Sequence, residues 1–133
     1  MPRLPAAYFK TWFRTELRGR RLPPHFGIVT ACNPRNKLVS SAKNAAADKR
    51  LRARLKKLGL RHFRVTGGDK TGTHREPGWG IVFDKPEEAR ALAARFHQLG
   101  YFWISSCRIF LGAAAGGPLR RAGSWPARRA RWA

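Results

Sequence analysis

Cysteine is almost absent from this chain, and its scarcity excludes two common small-protein architectures. Cys32 and Cys107 are the only cysteines in 133 residues. Two cysteines are too few for a disulfide framework, and neither stands in the ligand spacing of a zinc site. Because a free cysteine is among the most buried residue types, both are predicted to be buried thiols. We expect no metal site and no cofactor.

Long apolar runs are also lacking. No stretch approaches the roughly 18 consecutive apolar residues that a membrane-spanning helix needs. The N-terminus, residues 1–5, reads Met-Pro-Arg-Leu-Pro and lacks the apolar core of a signal peptide. The sequence therefore predicts a cytoplasmic protein with no membrane partner.

Acidic residues are few, with 7 Asp and Glu against 28 Lys and Arg and a formal net charge of +21. The excess persists without the Arg-rich ending, because residues 1–112 hold 23 basic and 7 acidic residues. Such a field attracts polyanions, yet it does not identify the polymer or any reaction. Nucleic acid or another polyanion is therefore the predicted class of partner.

The apolar content, 43% of residues, is enough for the core of one domain over residues 1–112. Alternation predicts a first strand over residues 8–17, with a helix from Pro5 as the competing interpretation. The remaining patterns predict a basic turn over 18–24, strands over 25–32, 61–66 and 79–83, helices over 40–58 and 84–99, a polar loop over 67–78, and a closing hairpin of 101–105 and 108–111.

This order predicts an α+β, ferredoxin-like fold of the split β-α-β type. Two helices would cover one face of a mixed or antiparallel sheet, and the first strand would extend one edge. Residues 113–133 contain five arginines and no acid, and their glycines and prolines predict a flexible tail. Trp125 and Trp132 would then be free to stack on bases, or the tail would simply be solvated.

Between residues 49 and 57 the first predicted helix carries six cations, which we call the cationic ridge. Its members are Lys49, Arg50, Arg52, Arg54, Lys56 and Lys57. An ordinary solvated helix face is one interpretation, but so many like charges repel one another, which favours contact with a polyanion. Together with Arg61 and Arg64, the cationic ridge forms the predicted nucleic-acid-binding surface.

A second group of polar residues suggests a pocket. Its predicted members are Thr30, Asn33, Asn44, Asp69 and Gln98. Asn44 lies on the apolar side of its helix, where it would bond either a loop backbone or a ligand. His74 and Glu76 are two residues apart and would point to the same side of an extended segment. An imidazole beside a carboxylate can act as a general base, or the two can form a simple structural pair.

Several short motifs in order resemble a known family. They are Tyr8-x-x-Thr11-x-Phe13, the run 28–34 Ile-Val-Thr-Ala-Cys-Asn-Pro, Asn44, the run 65–68 Val-Thr-Gly-Gly, His74-x-Glu76-Pro-Gly-Trp79, and Gln98-x-x-x-Phe102-Trp103. Over residues 6–112 the chain resembles the bacterial family known as domain of unknown function 3293. The resemblance implies a small bacterial cytosolic domain and no established activity. It makes Thr30, Asn33, Asn44, His74, Glu76 and Gln98 site candidates, while Lys70 and the Arg-rich ending depart from the family pattern.

Three functions from different classes follow. The first is a basic module that grips the RNA or DNA backbone. The second is a small enzyme acting on a phosphate-bearing or nucleotide-like substrate, with its polar pocket around His74 and Glu76. The third is an adaptor for an acidic protein.

Overall fold

One antiparallel sheet organises the part of the chain that the structure, a computed structural model, describes, namely residues 4–17 and 22–132. The predicted basic turn over 18–24 falls partly on residues 18–21, which lie outside the described residues. The strands are β1 (Trp12–Thr15), β2 (His25–Val29), β3 (His62–Gly68), β4 (Arg75–Ile81), β5 (Gly100–Ser105), β6 (Arg108–Ala113) and β7 (Arg120–Ser124). The helices are α1 (Ser41–Lys57) and α2 (Pro86–Arg95), with short 3-10 helices at Ala6–Lys10, Pro34–Asn36 and Pro126–Arg128.

The strands lie in the order β1-β3-β4-β2-β5-β6-β7, and neighbouring strands run antiparallel. The longest ladder joins β3 to β4, from His62 opposite Ile81 to Gly68 opposite Arg75. The predicted loop over 67–78 is therefore much shorter, because both strands continue into it and leave only residues 69–74. The segment predicted as a first strand divides into a 3-10 helix and β1, so each of the two interpretations holds for part of it.

The two faces of the sheet bury separate apolar clusters. The outer face packs against both helices, with Leu51 and Leu55 of α1 and Leu92 of α2 meeting Trp79 and Trp103 of the sheet. The inner face holds a second cluster, rich in aromatic rings, made of Phe13, Phe26, Ile28, Phe63, Val65, Ile104, Ile109 and Trp125. Both faces are buried, so alternate residues of the central strands are apolar in both directions.

The ferredoxin-like prediction is wrong, because the sheet has seven strands and curls into a half-barrel. The curl brings its two ends together: Phe13 of β1 forms an isolated bridge with Arg129, and the Ala130 N–H donates to the Phe13 carbonyl at 2.7 Å. The second cluster fills the interior that this curl creates. A flat sheet with helices on one face would leave those rings exposed to water.

The expectation of a flexible ending after residue 112 is also wrong. Residues 120–124 form β7 against β6, and Trp125 is only 4% exposed. The Trp125 ring stacks on Phe13, with ring centroids 5.4 Å apart. Trp125 therefore completes the core and is not available to stack on bases.

All but one of the ends of the two α-helices follow local sequence signals. Ser40 caps α1, because its hydroxyl accepts a hydrogen bond from the Lys43 N–H at 3.2 Å. Gly59 has a φ of +67° and terminates this helix as expected. At α2 the Glu88 carboxylate accepts from the backbone N–H groups of Asp84 and Lys85. The helix ends at Arg95, well before Gly100, because His97 adopts the left-handed conformation with a φ of +58°. No helix in the described ranges is long and apolar enough to cross a bilayer.

Candidate functional site

Asn33 is the centre of a polar network at the end of β2. It adopts the left-handed conformation, with a φ of +47°, which Asn tolerates better than most residues. Its backbone N–H donates to the Asn44 side chain at 2.8 Å, and its own amide donates to Glu76 Oε1 at 2.9 Å. Its side-chain oxygen, Oδ1, accepts from the Asn44 amide at 3.0 Å and from the Val39 N–H at 3.2 Å. The network thus ties a loop, α1 and β4 together.

Thr30 and Gln98 hold the same loop from two other sides. The Thr30 hydroxyl donates to the Pro77 carbonyl at 2.9 Å and accepts from the Cys32 N–H at 3.0 Å. The Gln98 amide donates to the Cys32 carbonyl at 3.1 Å. Two more predicted pocket residues therefore lie beside the network, but each bonds to backbone in a way that fixes the loop.

Glu76 gives the network a negative charge. Burial first, and the nearby Glu76 carboxylate second, raise the pKa of Tyr8. Cys32 lies in the same region, and its pKa is raised mainly by burial, with a further contribution from Glu76. Both groups therefore keep their protonated, neutral forms to a higher pH than they would in water.

His74 and Asp69 do not join this network. The His74 side chain is exposed and makes no hydrogen bond to Glu76 among the described residues, so the predicted imidazole–carboxylate pair is not formed. Asp69 instead shapes the β3–β4 turn by accepting from the Thr73 and His74 N–H groups and the Thr71 hydroxyl. Desolvation acts to raise the pKa of Asp69, but these hydrogen bonds outweigh it and hold the pKa below its ordinary value.

The Arg64 side chain already has partners within the folded protein. Its guanidinium forms a bidentate pair with Asp48 of α1 at 2.8 and 2.9 Å, and it lies 3.8 Å from the centre of the Trp79 ring. Such a planar fork both pairs with a carboxylate and stacks on an aromatic face. Arg64 therefore differs from the other predicted nucleic-acid-binding residues, because its charge already has a partner.

The cationic ridge is exposed except at one position. Lys49, Arg50, Arg52, Lys56 and Lys57 are exposed, as is Arg61 beyond the helix, whereas Arg54 is half-buried. Asp48, the one acid of α1, is held by Arg64. The dipole of α1 accounts for cations in its last turn, but not for those further back.

The sequence analysis did not identify some residues that lie near these sites. Arg95 and His97 end α2 beside the loop that carries Asn33, and the Arg35 N–H donates to the His97 carbonyl at 2.6 Å. Placing them required knowing that α2 stops at Arg95, and the sequence signal at Gly100 indicated a later end. No group of three or more His, Cys, Asp or Glu suited to a metal occurs within the described residues.

Substituting Asn33 tests whether the network stabilises the fold. Asn33→Ala removes three side-chain hydrogen bonds and places alanine in a left-handed conformation. We expect the free energy of unfolding to fall by about 3 kcal/mol, since half-buried groups lose their partners and alanine is strained at this φ. Thermal unfolding followed by circular dichroism measures the change, with a drop in Tm of roughly 10 °C.

Asn36→Ala is the matched control. Asn36 also has a positive φ, +58°, but it is exposed and its side chain makes no hydrogen bond with any described residue. We expect a loss of about 1 kcal/mol from backbone strain alone. Equal losses for the two variants would mean that the Asn33 network contributes nothing to stability.

The two thiols should differ in reactivity. Contrary to prediction, only Cys32 is buried, and Cys107 is exposed. Because burial and a raised pKa leave little thiolate at Cys32, a disulfide reagent such as Ellman's reagent should modify one thiol in the native protein. Cys107→Ser should show no fast reaction until denaturant is added. Rapid modification of that variant in its native state would contradict the buried position of Cys32.

The comparisons with known proteins identify a family whose description names no function. A family model described as "Protein of unknown function (DUF3293)" matches residues 29–100, which include the Asn33 network and the cationic ridge. No curated protein matches the chain. No solved structure matches it either.

Proposed function

Because the chain belongs to the DUF3293 family, whose description carries no activity, we propose from charge and geometry that it binds the phosphate backbone of nucleic acid through the cationic ridge. The observation that carries the proposal is the set of exposed cations on α1 whose one acidic neighbour is already paired with Arg64. Binding to phosphates relieves the mutual repulsion of these cations and releases counterions from the polymer.

The dimensions of the cationic ridge suit this partner. From Lys49 to Lys57 the helix rises about 12 Å. One strand of a duplex carries about three or four phosphates over the same axial length. A row of lysines and arginines on one helix can therefore contact successive phosphates without reading bases, which supports binding of low sequence specificity.

The dependence of affinity on salt tests this proposal. Affinity for a labelled RNA or DNA oligonucleotide should fall by orders of magnitude between roughly 50 and 200 mM salt, because each phosphate contact contributes a slope of about 0.9. Fluorescence anisotropy titrations at several salt concentrations measure that slope. A flat response, or no binding at the lowest salt, would remove the proposal.

The small-enzyme alternative has support from one observation and stays a prediction. Asn33, Asn44 and Glu76 do converge, as such a pocket requires. Their hydrogen-bonding groups, however, largely satisfy one another, and His74 stands apart from them. A catalytic base needs hydrogen-bond reach to its substrate and its orienting partner, so the geometry favours the binding function.

A further inference from the structure

A cleft of about 370 Å³ opens between α1 and the end of α2. Arg50 and Arg54 of α1 line one side, and Arg95 and His97 line the other, while Ala47 and Phe96 supply apolar surface. None of the described residues that line it is acidic. Three guanidinium groups thus face a shared space without a carboxylate to neutralise them.

Arg54 shows that the cleft lacks a partner for its cations. Its Nε is buried and makes no hydrogen bond with any described residue. A buried donor left without an acceptor costs free energy, about 1–3 kcal/mol and more for a charged group. The Arg54 guanidinium is therefore not fully compensated by the protein, which favours an anion beside it in the cleft that it lines.

The backbone beside the cleft is held in an unusual conformation. Arg35 and His97 both have positive φ values, +56° and +58°, and a hydrogen bond joins the Arg35 N–H to the His97 carbonyl. Non-glycine residues in this conformation cluster at ligand sites, where the surrounding structure maintains the strain. The contact fixes the end of α2, and therefore Arg95, against the loop after β2.

We propose that this cleft binds a phosphomonoester carried on a nucleoside. A phosphomonoester bears close to two negative charges at neutral pH and accepts paired hydrogen bonds from arginine forks. Phe96 offers an apolar surface on which a base can stack, and the volume falls in the range of small-molecule sites. The source is either a free nucleoside monophosphate or the 5′-phosphate at the end of a strand, and the second source rests on the proposed function.

Calorimetric titration with adenosine 5′-monophosphate tests the site on the full chain. We expect it to bind at least about tenfold more tightly than adenosine, because only the nucleotide brings charge-assisted hydrogen bonds. Arg54→Met and Arg95→Met should each weaken binding by about tenfold or more. Arg120→Met, an exposed site on β7, removes the same charge and should leave it unchanged.

If Arg54→Met disturbs folding, Arg95→Met still tests the site. Arg95 is exposed, so its replacement should leave the fold intact. Equal affinity for nucleotide and nucleoside, or equal losses for Arg95→Met and Arg120→Met, would overturn the proposal.

Oligonucleotides with and without a 5′-phosphate distinguish the two sources. A preference for the phosphorylated strand that Arg95→Met abolishes would assign the strand end; no preference, with nucleotide binding intact, would assign the free nucleotide. Failure of this inference is separable from failure of the proposed function. Salt-dependent binding of the 5′-hydroxyl strand reports on the cationic ridge, whether or not the nucleotide binds.

Discussion

Replacing Lys49, Arg52, Lys56 and Lys57 with glutamine should reduce affinity for an oligonucleotide on the order of a thousandfold at about 0.1 M salt. All four side chains are exposed, and none lines the cleft between α1 and α2. Each lost phosphate contact removes about 0.9 from the slope of log affinity against log salt, so the slope itself should shrink by between three and four, roughly. Anisotropy titrations over a series of salt concentrations measure both quantities.

A matched charge variant separates the position of the cations from their number. Lys10, Lys85, Arg108 and Arg120 are exposed and lie off α1. Glutamine at these four positions lowers the formal net charge by the same amount as the α1 variant. We expect a much smaller loss of affinity, since the general field is weakened but the row of contacts remains. Equal losses would show that overall charge, not the cationic ridge, controls binding.

The polar network shows what sequence could predict about a site. Asn44 was expected on the inner side of its helix from spacing alone, and it does bond the backbone of the loop at Asn33. Thr30, Asn33 and Glu76 likewise lie close together, because β2 and β4 are neighbours in the sheet. His74 does not pair with Glu76, for a local reason. It belongs to the turn that Asp69 organises, and β4 begins only at Arg75.

The fold could be predicted only where short-range patterns fix it. The order of the strands and helices along residues 25–111 follows from alternation and from helical spacing, and it is found in the structure. The closure of the sheet depends on pairing between residues far apart in sequence, such as Phe13 with Arg129. No local sequence pattern predicts such a long-range contact.

The strand β7 was missed because its residues lack the usual signal. Its sequence, Arg-Arg-Ala-Gly-Ser over 120–124, contains neither a β-branched nor an aromatic residue, and it pairs with β6 across a register shift at Ile109 and Phe110. The informative residue was Trp125, which follows the strand. A large apolar side chain after an otherwise polar stretch indicates burial as readily as exposure, and the structure shows burial.

Truncating that side chain should be strongly destabilising. Trp125→Ala removes a ring that stacks on Phe13 and meets Phe26 edge-on at 5.7 Å between centroids. A buried aromatic-to-alanine change costs about 3–5 kcal/mol, a large share of the total stability of a small domain. In thermal unfolding by circular dichroism, we expect Tm to fall by roughly 10–20 °C.

Trp132→Ala is the control that tests whether this effect comes from closure of the inner cluster. Trp132 is also a tryptophan of the Arg-rich ending, but it is partly exposed, donates to the Lys70 carbonyl at 3.1 Å, and packs beside Arg75. Its loss should cost about 2 kcal/mol, because the ring is partly exposed and lies outside the inner cluster, so that its removal leaves no cavity there. If Trp125→Ala proved no more harmful than Trp132→Ala, the Trp125 ring would not be what closes the inner cluster.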